Sequence, residues 1–95
     1  MEELHMELKK GENRFYLSDE QGNEAGEITY YPSDDNTLTV DHTFVSDEYR
    51  GHSYAAKLVK AVVEQAREEG KKIIPACPYV KKELDRREEY KDMQY

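Results

Sequence analysis

The chain reads as a mixed α/β domain of the α+β kind, an antiparallel β-meander followed by a β-α-β crossover and a short C-terminal helix. Three observations predict this. Apolar residues alternate with polar ones through four short segments ending near Val45. Clusters of turn formers at 11–13, 19–23 and 32–36 separate those segments. The period then changes: Ala55, Leu58, Val59, Val62 and Ala66 recur at helical spacing, ahead of an apolar run of strand length.

The elements follow in order. Residues 3–10, ELHMELKK, put Leu4, Met6 and Leu8 on one face, the pattern of a half-buried strand. Residues 14–18, RFYLS, form a second strand with Phe15 and Leu17 inward. Residues 24–31, EAGEITYY, form a third, with the next turn over Pro32 to Asn36. Residues 37–45, TLTVDHTFV, form a fourth in which Leu38, Val40, His42 and Phe44 share a face. Short connections make these four antiparallel. A helix runs from about Tyr54 and ends at Gly70, a C′ glycine. Residues 72–77, KIIPAC, read as a fifth strand. A strand, a helix and a strand in succession imply a right-handed crossover, so strands four and five run parallel. Pro75 and Pro78 bracket Cys77, which sets strand five at an edge or splayed from its neighbour. A short helix over Val80 to Arg87 and a charged, Tyr-bearing tail complete the chain.

Composition narrows the function. Residues 1–95 are expected to make one compact domain with a modest core. The net charge of −7 argues against a nucleic-acid partner. Residues 1–50 hold four basic and thirteen acidic side chains, whereas residues 51–77 hold five and three. The mildly basic segment is therefore the one able to attract an anion. A single cysteine excludes an internal disulfide and suits a reducing, cytoplasmic setting. No apolar run reaches membrane-spanning length, and no signal-peptide pattern opens the chain. The expected state is a monomer or weak dimer, without a membrane partner. The three His and one Cys lack ligand spacing, so no metal is expected.

Asp41 to Leu58, DHTFVSDEYRGHSYAAKL, organises the rest. It reads as a strand end, an acidic turn and a helix start. A helix start carries unpaired N–H groups and the positive end of a dipole. Gly51, Ser53, Ala55 and Ala56 are small enough for a diphosphate to approach the backbone, with Arg50 adding charge. A close-packed helix start is the competing reading. In open sheets, ligands lie at the carboxyl ends of parallel strands beside such helix starts.

The segment V-S-D-E-Y-R-G-H-S-Y-A-A-K-L resembles the acetyl-CoA-binding motif of the GNAT superfamily of N-acetyltransferases, Q/R-x-x-G-x-G/A. Arg50 matches its first position and Ala55 its last; Ser53 replaces the usual middle glycine. The order of elements also fits over roughly residues 24–82, and the Ile74-Pro75-Ala76-Cys77 stretch is similar to that of a compact, stand-alone subgroup. The usual helices between strands one and two have no room here. The resemblance implies a CoA cleft where the sheet opens between strands four and five. It implies acetyl-CoA as co-substrate, held by Arg50, Gly51, His52, Ser53, Tyr54, Ala55 and Ala56, with a backbone N–H near Phe44 or Val45 for the thioester carbonyl.

Three residues are candidates for the chemistry. Cys77 would end beside the thioester, where a thiolate can accept an acetyl group or a thiol can protonate the leaving CoA thiolate. Packing is the usual job of a lone cysteine. His42 would face the same gap if strands four and five are neighbours, and an imidazole there can take a proton from an amine. A core histidine is the plainer reading, and Asp41 points to the other face unless a bulge intervenes. Tyr79 suits protonation of the CoA thiolate, a role the resemblance suggests, or else covers the edge of the core. His5 reads as surface. Lys81, Lys82, Arg86 and Arg87 alternate with acids, the pattern of a solvated face.

The leading function is acetyl-CoA-dependent transfer to a primary amine, such as a polyamine, a lysine side chain or an aminated small molecule. A CoA or acyl-CoA-binding module without efficient transfer is one alternative. A protein-interaction domain on the same fold is the other.

Overall fold

A computed structural model describes residues 6–51 and 53–95. Five strands form one sheet in chain order: β1 Glu7–Gly11, β2 Arg14–Ser18, β3 Glu24–Asp34, β4 Thr37–Val45 and β5 Lys72–Pro75. The first four pair antiparallel and β5 pairs parallel to β4. The meander and the crossover are as the patterning predicts. Helix α1, Tyr54–Glu69, makes the crossover, and Gly70 closes it in the left-handed conformation at φ 69°. Helix α2, Pro78–Arg86, follows β5 directly.

One core lies between α1 and the sheet. Leu58, Val59, Val62 and Ala66 of α1 pack with Phe15, Leu17, Ile28, Tyr30, Leu38 and Val40 of β2, β3 and β4. The first strand departs from expectation. Leu8 sits opposite Leu17, yet it is 50% exposed. β1 is the sheet's outer strand, and α1 lies over β2, β3 and β4. Leu4 and His5 lie outside the described residues.

β3 runs three residues beyond its expected end, through Pro32. The Tyr30 N–H donates to Asn13 C=O, and β2 supplies no partner beyond that point. By alternation Pro32 presents its missing N–H to that vacant side, so the proline removes no ladder bond. The turn is tied by Asp34, whose Oδ1 accepts from the Asn36 N–H at 2.7 Å and the Thr37 hydroxyl at 3.0 Å.

β5 is shorter than the sequence suggests. Pairing with β4 stops at Val40 and Pro75, after which the Ala76 and Cys77 N–H groups both donate to Val40 C=O. Cys77 is thus the N-cap of α2, not a strand residue, and Pro78 takes the first helical position where no N–H is needed. The outer edge of β5 is covered in turn. The Ile73 N–H donates to Met93 C=O at 2.7 Å, and the Tyr95 N–H donates to Ile73 C=O at 2.9 Å. Among the described residues, no helix is long and apolar enough to cross a membrane.

Candidate active site

The site begins with a bulge in β4. Thr29 pairs with His42 and Tyr30 pairs with Val40, so Asp41 is an extra residue in the ladder. Its carboxylate accepts from the Thr29 hydroxyl at 2.6 Å. One extra residue inverts the alternation beyond it. Leu38 and Val40 face α1 before the bulge; Thr43 and Val45 face that side after it. The expectation that His42 and Phe44 share the face of Leu38 and Val40 is therefore incorrect. His42 is exposed, and Phe44 is 50% exposed on the opposite face. Thr43 takes the position expected of His42, with Cys77 Sγ 3.6 Å from its Oγ1. The structure does not bring Cys77 and His42 together.

The same alternation governs the backbone. The Ser46 N–H donates to Ala25 C=O at 2.8 Å, so even-numbered amides in this stretch point toward β3. The amides of Thr43 and Val45 point the other way, into the space β5 leaves as it turns off at Pro75. The Val45 carbonyl, on that side too, accepts from Arg50 Nε at 3.4 Å. Of the two backbone donors expected near the thioester, Val45 faces the open side and Phe44 does not.

Beyond β4, a 3₁₀ turn at Asp47–Tyr49 leads to the loop before α1. Gly51 and Ser53 both have positive φ, 90° and 63°. Only glycine enters that region without steric cost, so Ser53 carries a strain that Gly51 does not. Ser53 is the N-cap of α1 but its hydroxyl makes no capping bond. A helix start of this kind can accept an anion, and Ala55 and Ala56 add little bulk there. Arg50 is largely exposed and pairs with Asp47 at 3.2 Å. His52 lies outside the described residues.

These parts enclose a cavity of about 340 Å³, lined by Thr43, Val45, Tyr49, Arg50, Gly51, Ser53, Tyr54, Ala55 and Tyr79. The expected cofactor-binding residues Val45, Arg50, Gly51, Ser53, Tyr54 and Ala55 thus line one cavity together with Tyr79. Ala56 and Phe44 are not on it, and Cys77 lies behind Thr43, off the lining. Tyr49 and Thr43 were not anticipated. Nothing in a D-E-Y turn marks Tyr49, and Thr43 is reached only through the bulge.

The two ionisable groups at the parting of β4 and β5 are tuned in opposite directions. Burial pushes the Cys77 thiol up, but the Val80 N–H, the Thr43 side chain and the Tyr79 and Thr43 N–H groups outweigh it. The thiol, 8% exposed, ends below its ordinary value. A position at the start of α2 acts in the same sense. Burial, and then Glu83, pushes the Tyr79 phenol up. At neutral pH Tyr79 holds its proton while Cys77 is readier than a free thiol to lose one. Among the described residues, no group of His, Cys, Asp and Glu has the arrangement of a metal site.

Comparison with known proteins agrees with this architecture. A family model described as GCN5-related N-acetyl-transferase matches residues 14–93. The NMR solution structure of a GCN5-like protein from Staphylococcus aureus is 46% identical, with a TM-score of 0.78 over 94% of this chain and 87% of that one. A GNAT-family N-acetyltransferase from Escherichia coli in complex with CoA is 20% identical, with a TM-score of 0.60 over 65% of this chain and 38% of that one. A GNAT-family acetyltransferase from Elizabethkingia anophelis with acetyl-CoA bound is 17% identical, with a TM-score of 0.59 over 65% of this chain and 40% of that one. The last two bear on the fold alone, and the chain spans less than half of either. No curated protein matches the chain.

Proposed function

Because the chain belongs to the GCN5-related N-acetyltransferase family, we propose that it transfers an acetyl group from acetyl-CoA to a primary amine in the cleft where β4 and β5 part. The observation that carries this reading is the shared cavity. It joins an uncapped helix start with two positive-φ residues to the open side of β4 and to Tyr79. A diphosphate fits the helix start, held by first-turn amides and by Arg50. The pantetheine arm would then run along Thr43 and Val45.

Transfer breaks the acetyl C–S bond and forms a C–N bond. The amine loses one proton and the CoA sulfur gains one. The Val45 N–H is the donor suited to the thioester oxygen as it gains charge. Tyr79, protonated at neutral pH, suits the donation to the CoA thiolate. Cys77, with its depressed pKa, suits removal of the amine proton. Two groups whose environments drive their pKa values apart are a sound basis for dividing acid from base. His42, on the far face, has no part in this scheme. The acidic first half of the chain would attract a cationic amine such as a polyamine or a lysine side chain.

The depressed thiol also supports a second route, in which Cys77 itself receives the acetyl group before the amine does. Incubation with acetyl-CoA alone separates the two. One acetyl mass on Cys77 favours the acyl-cysteine route; its absence, with turnover once an amine is added, favours direct transfer. The reading as a whole is tested by titrating CoA and acetyl-CoA, followed by calorimetry and NMR. Shifts clustered at Val45, residues 50–56 and Tyr79 are expected. No binding at millimolar ligand would overturn the acetyltransferase reading and that of a CoA-binding module together.

A further inference from the structure

Tyr49, on the wall of the cleft, is tied to a hairpin thirty residues earlier in the chain. Its hydroxyl donates to Asp19 Oδ2 at 3.1 Å. Asp19 has a local job as well. Its Oδ1 accepts from the Gln21 and Asn23 N–H groups, both at 2.9 Å, closing the β2–β3 turn. Asn23 Nδ2 also donates to Oδ2, at 3.2 Å. Oδ1 thus closes the backbone of the turn, while Oδ2 is shared between the Asn23 side chain and Tyr49.

Tyr49 is half-buried and packs against the core, and its segment is otherwise held by short-range bonds. The 3₁₀ turn Asp47–Tyr49 contains no buried residue, and its backbone bonds are local: Tyr49 N–H to Ser46 C=O and Arg50 N–H to Asp47 C=O. Tyr49 is followed at once by Arg50, Gly51 and the positive-φ turn into α1. Its ring lies 6.3 Å from that of Tyr54, the first residue of the helix, and both rings line the cavity. The Tyr49 side chain thus spans the loop, bonded to the hairpin at one end and packed on the helix start at the other. Its phenol is pushed up first by the bond to Asp19, so it remains a donor across the neutral range.

We infer that Asp19 is a positioning residue for the cofactor loop, acting through Tyr49 to hold Arg50, Gly51 and Ser53 in place for an anion. This rests on the reading of the cleft as the acetyl-CoA site. Fixing a loop before the ligand arrives removes an ordering cost from binding, so the tie acts on affinity and not on the chemical step.

Tyr49→Phe tests it, because the ring stays and only the tie is lost. We expect CoA affinity to fall roughly three- to tenfold, the scale of one ordinary net hydrogen bond at an exposed site. The KM for acetyl-CoA should rise with it, while kcat and the thermal midpoint barely change. Asp19→Asn, which keeps an oxygen for the turn, should act in the same direction, and the double variant should add little to Tyr49→Phe. Unchanged CoA affinity in Tyr49→Phe, beside clear binding by the unaltered protein, would overturn the inference while leaving the cofactor reading intact. If the unaltered protein binds no CoA, the cofactor reading fails. The tie is then judged by amide exchange at Arg50 and Gly51, which Tyr49→Phe should accelerate; no acceleration overturns it too.

Discussion

Cys77 Sγ and Thr43 Oγ1 meet at 3.6 Å across the point where β4 and β5 cease to pair. The thiol donates to the hydroxyl; once ionised, it accepts from it. Thr43→Val keeps the shape of the side chain and deletes this partner. The Cys77 pKa should then move up toward the free-thiol value, near 8.5. Alkylation by iodoacetamide should follow a pH curve whose midpoint lies below that of a free thiol in the unaltered protein and higher in Thr43→Val. Identical curves would remove Thr43 from the account.

His42 provides the opposite test. The bulge at Asp41 turns it to the exposed face, away from Cys77. His42→Ala should leave turnover within about twofold and stability within roughly 0.5 kcal/mol, as for other surface positions. A loss of activity of a hundredfold or more would mean that β4 is not bulged in the active protein.

Gly26 is needed for close approach. A Cβ there would lie 2.8 Å from the Phe44 carbonyl oxygen and 3.3 Å from Leu58 Cδ1. The carbonyl belongs to the β3–β4 ladder and cannot yield as a side-chain tip would. Gly26→Ala should destabilise the fold by about 1 to 3 kcal/mol, the range for overpacking a filled core. Urea unfolding measures this, and an unchanged midpoint would contradict the packing described.

Ser53 pays for its left-handed conformation. An L-residue at φ 63° costs roughly 1 to 2 kcal/mol relative to the right-handed region, against about 0.5 to 1 kcal/mol of extra unfolded-state freedom for glycine. Ser53→Gly should therefore raise the urea midpoint slightly and bind CoA at least as well. A lower midpoint would show that the serine side chain contributes more than its backbone strain removes.

Glu83 is 2% exposed and accepts from Arg86 at 2.7 Å and Arg87 at 2.9 Å. Burial alone would raise its pKa, but the bonds from Arg87 and Arg86 bring it below the ordinary carboxylate value. The resulting stability is complete above the unfolded pKa, about 4.3, and is lost as pH falls through the depressed folded value. Glu83→Gln should cost about 1 to 2 kcal/mol at pH 7, discounted because both arginines are partly exposed. The gap from the unaltered protein should narrow below about pH 4. A gap independent of pH would assign the cost to packing instead.

Much of this architecture was legible in the linear pattern. β2 and β4 begin and end where alternation and turn residues set them, and Gly70 closes α1 at its expected position. These are local effects, in which propensity, period and turn chemistry agree. The motif at Arg50–Ala55 was equally visible, because its small residues are adjacent in the chain. Leu8 is exposed despite its alternation, because alternation reports a face but not whether a helix covers it. Pro32 lies in β3 and not in a turn, because the vacancy beside β3 is set by the length of β2, which no local signal reports.

Residue order by itself determined a meander, a crossover, a small-residue loop before α1, and membership of the GCN5-related N-acetyltransferase family. Tertiary structure alone decided which side chains face the cleft. One unpaired residue, Asp41, inverts every position after it, so Thr43 and not His42 meets Cys77, and Val45 and not Phe44 faces the open side. The tie from Asp19 to Tyr49 was hidden for a related reason. A bulge is a mismatch between two strands and a tie is a meeting of distant ones; neither is a property of any stretch of sequence taken alone.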